Sequence, residues 1–252
     1  MKIIFDFDGV IYNTPLALVK LYNELYNDNV TIEVCRKWNL SGACHITSNE
    51  CVEVMFENPE LYKDKDITEG SIELLQKLGN SAMIATIGRW RNIYNKCENI
   101  LYKHLPDIKT IGIIKRNPKH TIKDCINMKG CIFIDDKMYN LIGSDAKYKI
   151  LFDTIDAEWN IGWEGVKVTT MSELELVIEA IILTELSNKY KNTDIYSEID
   201  DDGFFILSGL YSTTTTKLTL QEAIERIWLK WNLSSHTISR TTIHLLNLKF
   251  TK

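Results

Sequence analysis

The chain is short of several things, and each shortage removes a class of protein. Its six cysteines (Cys35, Cys44, Cys51, Cys97, Cys125 and Cys131) include no C-x-x-C pair, which argues against a zinc site of the usual spacing. The start, MKIIFDFDGV, is interrupted by two aspartates within eight residues. It is too charged for the apolar core of a secretion signal, so the expectation is reduced thiols in a cytoplasmic setting. No run approaches the roughly 18 uncharged apolar residues of a membrane-spanning helix. With 4 Pro and 12 Gly among 252 residues, flexible or Pro-rich linkers are not expected. Positive charge is also lacking: 29 Lys and Arg face 34 Asp and Glu, a net charge of −5. No whole-chain field therefore draws nucleic acid or an anionic membrane.

What is present is ordinary globular composition, 45% apolar and 25% charged, in a chain long enough to build a core without staples. Short apolar runs at residues 2–7, 82–86, 108–114, 131–134 and 148–152 read as buried strands. Between them, residues 16–26, 71–78, 90–104 and 118–128 carry helical spacing. Thr14 is the expected N-cap of the first of these helices, with Pro15 at its first position. Strands alternating with helices predict an α/β fold, a doubly wound parallel sheet with helices on both faces. The predicted organisation is a core of residues 1–14 and 67–187, a helical cap insert at 15–66, and a small α+β appendage at 188–252. Within the appendage, residues 190–252 carry seven basic and seven acidic side chains and no motif with an assignable role. A helix is predicted there at 218–231.

In such a sheet, ligands bind outside the carboxyl ends of the strands. Asp6, Asp8, Thr86, Asp135 and Asp136 all fall there. Two carboxylates at i and i+2 on an extended strand point to one side, so DFDG delivers Asp6 and Asp8 to one pocket. Gly9 then allows a sharp turn beside them. Carboxylates this close repel unless a cation joins them, and magnesium suits a site of one or two carboxylates plus phosphate oxygens. One carboxylate can attack phosphorus while the other handles protons. A calcium loop uses similar spacing but needs further oxygen ligands, which Val10, Ile11 and Tyr12 do not supply.

DFDGV resembles the first motif, D-x-D-G-[VT], of the haloacid dehalogenase (HAD) superfamily of phosphohydrolases. The remaining motifs have counterparts in order: Thr86 in SAMIATIG, Lys119 in IIKRNPKHTIKD with Lys115 as its rival, and Asp135-Asp136 in CIFIDDK. The resemblance implies Asp6 as nucleophile and Asp8 as general acid/base. It implies magnesium held by Asp6, the Asp8 backbone carbonyl and Asp135, with Asp136 behind them. Thr86 and Lys119 would bind the phosphoryl oxygens. A dehalogenase needs no acid for its halide, so Asp8 favours a phosphatase.

The insert after the first motif, the segment FENPELYKDKDITEGSIELLQKLG and the stretch YKILFDTIDAEWNIGWEGVKV further resemble the 5′(3′)-deoxyribonucleotidase branch over about residues 1–180. Where that branch often has Thr-Ser or Ser-Pro, this chain has Thr86-Ile87-Gly88. The implied substrate is a (deoxy)nucleoside 5′-monophosphate. Arg89 and Trp90 are expected substrate contacts, and Trp38, Phe56 and Tyr62 could stack on a base from the cap side or simply pack. No membrane or nucleic-acid partner is expected, and a homodimer or protein partner through the appendage stays open. Two other readings stay open too: a HAD-fold protein that sequesters nucleotide, and a phosphatase of nucleic-acid 3′ ends.

Overall fold

The computed structural model describes residues 1–37, 40, 43, 45, 49–114, 123–191, 196–199, 205–208 and 216–218. The chain divides into two compact units, Met1–Leu174 and Glu175–Lys252.

The first unit is built on a six-stranded, all-parallel sheet ordered β3-β2-β1-β4-β5-β6. Its strands are β1 (Ile3–Phe5), β2 (Ala82–Gly88), β3 (Lys109–Ile114), β4 (Ile132–Asp135), β5 (Tyr148–Phe152) and β6 (Val166–Val168). Five of these match the apolar runs in the sequence. The sixth, β6, has only Val166 and Val168 as apolar residues, a period too short to stand out. From β1 the chain steps outward to β2 and β3, then returns to place β4 on the other side of β1. The direction of winding reverses between β1 and β4, which in open α/β sheets is where a crevice forms.

Both faces of the central strands are buried, as a doubly wound sheet requires. On one face Ile4, Ala85, Phe133 and Leu151 form a cluster with Met128, Leu141 and Ala146. Ile3, Phe5, Ile84, Ile132 and Ile134 alternate with them along the strands and are equally enclosed. Each such side chain contributes about 1.5–3 kcal/mol by leaving water. The core helices are α3 (Ser71–Leu78), α4 (Trp90–Lys96) and α6 (Met138–Gly143). After α4 the chain continues helically through a π-turn, Cys97–Leu101, into α5 (Tyr102–His104).

The insert between β1 and β2 contains α1 (Thr14–Tyr26), α2 (Asn49–Glu57) and three 3-10 turns at Ile32–Arg36, Pro59–Leu61 and Asp64–Asp66. The N-cap of α1 is Asn13, whose side chain accepts from the Leu16 N–H at 3.3 Å. Thr14 is not the cap as expected, because its hydroxyl is engaged by Asp8. The two roots of the insert are stitched together. Tyr12 stacks on Phe7 at 5.6 Å and meets Tyr62 at 5.5 Å. Its hydroxyl donates to the Leu61 carbonyl at 2.5 Å and accepts from the Lys63 N–H at 2.8 Å. Thr68 N–H and Ser71 Oγ both donate to the Ile11 carbonyl.

The expected helix at 118–128 is not seen where the chain is described: Lys123–Cys125 is a single 3-10 turn. The second unit contains a three-stranded antiparallel sheet of β7 (Tyr196–Ile199), β8 (Phe205–Ser208) and β9 (Thr216–Leu218). The helix α7 (Met171–Lys191) straddles the boundary in the chain. The predicted helix at 218–231 lies outside the described residues. Among the described residues no helix is long and apolar enough to cross a membrane.

Tyr12→Phe removes a buried hydroxyl and leaves the Lys63 N–H without its acceptor. The expected loss is about 1–3 kcal/mol, read as a lower urea midpoint with an unchanged slope.

Candidate active site

The strand ends at the β1/β4 switch bring the acidic residues together. Phe5 pairs with Ile134 in register, so Asp6 and Asp135 follow side by side. Asp6 is 5% exposed and Asp135 fully enclosed. Between them stands Lys123, whose Nζ lies 2.7 Å from Asp6 Oδ1 and 2.6 Å from Asp135 Oδ2. Lys123 is 1% exposed. Burial alone would lower its pKa, but the carboxylates of Asp135 and Asp6 outweigh that and raise it, so it stays an ammonium.

The turn after β1 is tight. Gly9 N–H donates to the Tyr12 carbonyl and Tyr12 N–H to the Phe7 carbonyl. Gly9 has φ +74°, and a Cβ there would lie 2.6 Å from Asp136 Oδ2. Glycine is thus required twice over, by backbone angle and by the approach of Asp136.

The acidic pair divides its work. Asp135 is saturated by protein donors: Lys123 at 2.6 Å, Lys137 N–H at 2.9 Å, and the Asn140 amide at 2.9 and 3.0 Å. Asp136 is not. Its Oδ1 is enclosed with no hydrogen-bond partner, and burial pushes its carboxyl well above the usual range. Asp6 is raised to about 6, by burial first and then against the pull of Lys123, with the Asp135 and Asp8 charges adding to it. Ligand oxygens of Asp6, Asp135 and Asp136 lie within 4.8 Å of one another. A carboxylate with one enclosed, unpartnered oxygen beside two others is a donor set that suits a hard divalent cation.

Thr86 is buried near the end of β2. Its hydroxyl accepts from Lys96 Nζ at 2.9 Å. Lys96 also pairs with Asp8 Oδ2, while Asp8 Oδ1 accepts from the Thr14 hydroxyl at 3.1 Å. Asp6, Asp8, Thr86, Asp135 and Asp136 are therefore brought to one place.

Lys119 and Lys115 lie outside the described residues, as does Trp38. Arg89 is held by Glu57 at 3.1 Å and Glu53 at 3.9 Å, both on α2 of the insert. Trp90 is 68% exposed. Tyr62 is packed in the Phe7–Tyr12 cluster. A cavity of about 420 Å³ opens elsewhere, beside Ile32, Arg36 and the 153–156 loop. Arg36 and Lys167 there both pair with Asp156.

Sequence reasoning missed Lys123 and Lys96. Lys96 had a readable signal, since it shares a helical stripe with Ile93 and Ile100, both buried, where a lysine is out of place.

The profile of the family described as 5′ nucleotidase, deoxy (Pyrimidine), cytosolic type C matches residues 1–181. The chain belongs to this family. It is a phosphoric monoester hydrolase of the 5′-nucleotidase kind, acting on a small nucleotide. No curated protein matches the chain.

Among solved structures, YfnB of Bacillus subtilis, a candidate HAD hydrolase solved with magnesium, is 14% identical with a TM-score of 0.46. The match covers 70% of this chain and 97% of that one. A HAD-superfamily hydrolase of subfamily IA from Geobacter sulfurreducens is 15% identical with a TM-score of 0.44, covering 69% and 96%. The haloacid dehalogenase-like family protein SP0104 from Streptococcus pneumoniae is 14% identical with a TM-score of 0.43, covering 69% and 96%.

In this nucleotidase-family chain Lys123→Met leaves Asp6 and Asp135 as neighbouring buried carboxylates without their cation. The expected loss at neutral pH is about 3–5 kcal/mol. Loss of the Lys123 pairing lifts the folded pKa of Asp6, already raised to about 6, further above its unfolded value, so the deficit is present at high pH and shrinks as pH falls. Melting temperatures of variant and wild type should converge toward about pH 4–5. A deficit that grows on acidification contradicts this arrangement.

Proposed function

We propose that the chain is a magnesium-dependent phosphomonoesterase that removes the 5′-phosphate of (deoxy)nucleoside monophosphates through an aspartyl-phosphate on Asp6. The observation that carries this reading is the placement of Asp6 and Asp8 on one strand end with Lys123 against Asp6. The family description supplies the nucleotide and agrees with a cytoplasmic setting.

Asp6 attacks phosphorus with one carboxylate oxygen as the bond to the 5′-oxygen breaks. Asp8 gives its proton to the departing 5′-oxygen. It then takes a proton from the water that attacks the aspartyl-phosphate, which frees Asp6 and releases phosphate. Lys123 and the Thr86 hydroxyl face the transferring phosphoryl oxygens and balance their charge. The sequence pattern alone offered Lys119 or Lys115 for the lysine; Lys123 is favoured because its ammonium stands beside the nucleophile.

Asp6 and Asp136 would hold the magnesium, with the Asp8 backbone carbonyl as a further oxygen. Asp136 takes the ligand role first given to Asp135, because Asp135 has its oxygens filled by Lys123, Lys137 and Asn140. When bound, the metal neutralises charge on the phosphate and aligns it for attack. The insert acts as a cap that limits water and access, which weighs against nucleic-acid ends as substrate.

Phosphate release from a panel of nucleoside monophosphates and sugar phosphates tests the reading. Release should be best with nucleoside 5′-monophosphates, stop with EDTA, and fall by roughly 10³-fold or more in Asp6→Asn. Tight nucleotide binding without release, by folded protein, would instead indicate sequestration. For the metal, magnesium should raise the melting temperature of the wild type and not of Asp136→Asn. A shift retained in Asp136→Asn sinks that ligand assignment.

A further inference from the structure

Lys96 is a fully enclosed lysine in the last turn of α4, with 0% exposure. Nothing in the reaction as described uses it, yet all three of its donors are satisfied inside the protein. Its Nζ pairs with Asp8 Oδ2, donates to Thr86 Oγ1 at 2.9 Å, and reaches the Ile87 carbonyl at 3.4 Å. The ammonium also lies 5.5 Å from the centre of the Phe7 ring. Burying a lysine head is unfavourable unless it is paired, so mere packing would be better served by an apolar side chain. Asp8 is meanwhile fixed from its other side by the Thr14 hydroxyl on α1. Its carboxylate is thus held between one donor from the core helix and one from the root of the insert.

We infer that Lys96 is a positioning residue for Asp8, and that Thr14 assists it. Lys96 fixes the Asp8 carboxyl group, which in its protonated form delivers the proton, and ties it to Thr86, whose hydroxyl faces the phosphoryl group. The inference rests on the reading of Asp8 as the acid that protonates the leaving oxygen. It has a consequence that a structural or phosphate-binding lysine would not share. Losing the lysine should hurt most where the leaving group needs a proton. A nucleoside 5′-alkoxide needs one, whereas p-nitrophenolate leaves readily without it.

The test compares wild type, Lys96→Met, Thr14→Val, Asp8→Asn and the Lys96→Met/Asp8→Asn double variant on a nucleoside 5′-monophosphate and on p-nitrophenyl phosphate. Lys96→Met should lower kcat for the nucleotide by about 10²-fold and for p-nitrophenyl phosphate by less than about tenfold. Thr14→Val, which changes little volume, should show the same selectivity in weaker form and carries the test if Lys96→Met does not fold. In the Asp8→Asn background, Lys96→Met should cost little more.

Equal losses on both substrates, a raised KM that persists in the Asp8→Asn background, or no loss in either variant would each overturn the inference. If the wild type releases phosphate from neither substrate, the phosphatase reading fails along with it. An active wild type with unselective losses overturns the inference alone.

Discussion

The site depends on one buried ion cluster, in which Lys123 stands between Asp6 and Asp135 at the ends of adjacent strands. Two carboxylates brought out of water at neighbouring strand ends repel, and burial together with the Asp135 and Asp8 charges lifts Asp6 to about 6 even against the pull of Lys123. A single ammonium held at 2.6–2.7 Å from both allows β1 and β4 to end side by side. The winding reverses at β1/β4, where open α/β sheets place their crevice, and the cluster allows charge to be buried there. Asp135 is filled by this pairing and by Lys137 and Asn140, which leaves Asp136 as the carboxylate with an oxygen to offer.

A second construction sits on the other side of β1. The turn through Gly9 carries the chain into an insert whose roots are locked by Tyr12, Phe7 and Tyr62. That lock holds Thr14 against Asp8, while α4 brings Lys96 to the opposite oxygen. Asp6 and Asp8 therefore stand two positions apart in sequence but take their support from different elements. Asp6 is set by the β4 side of the sheet, and Asp8 by the insert root and α4.

Much of this was legible in the sequence, and the reasons are specific. The apolar runs gave five of the six strands because buried parallel strands read as continuous apolar stretches. DFDGV and FIDD stood out because each follows such a run. Helical spacing over 118–128 points to Lys119 at its start, a residue outside the described ones. Within that stretch the described residues make a short turn at Lys123–Cys125, whose lysine stands between Asp6 and Asp135. Local spacing points to Thr14 as the cap, but its hydroxyl contacts Asp8 and the cap falls to Asn13. Long-range contacts of this kind leave no periodic trace. The division of labour between Asp135 and Asp136 was invisible for the same reason, since it depends on which carboxylate already has partners.

In the proposed reaction Asp6 itself receives the phosphoryl group. The most direct measurement is rapid acid quenching of a single turnover with a nucleoside 5′-monophosphate, followed by mass analysis of the N-terminal peptide. The expected result is a peptide heavier by one phosphoryl group, assigned to Asp6, sensitive to hydroxylamine, and appearing before free phosphate. Phosphate release at full rate with no labelled peptide at any quench time, or label on a residue other than Asp6, would contradict it.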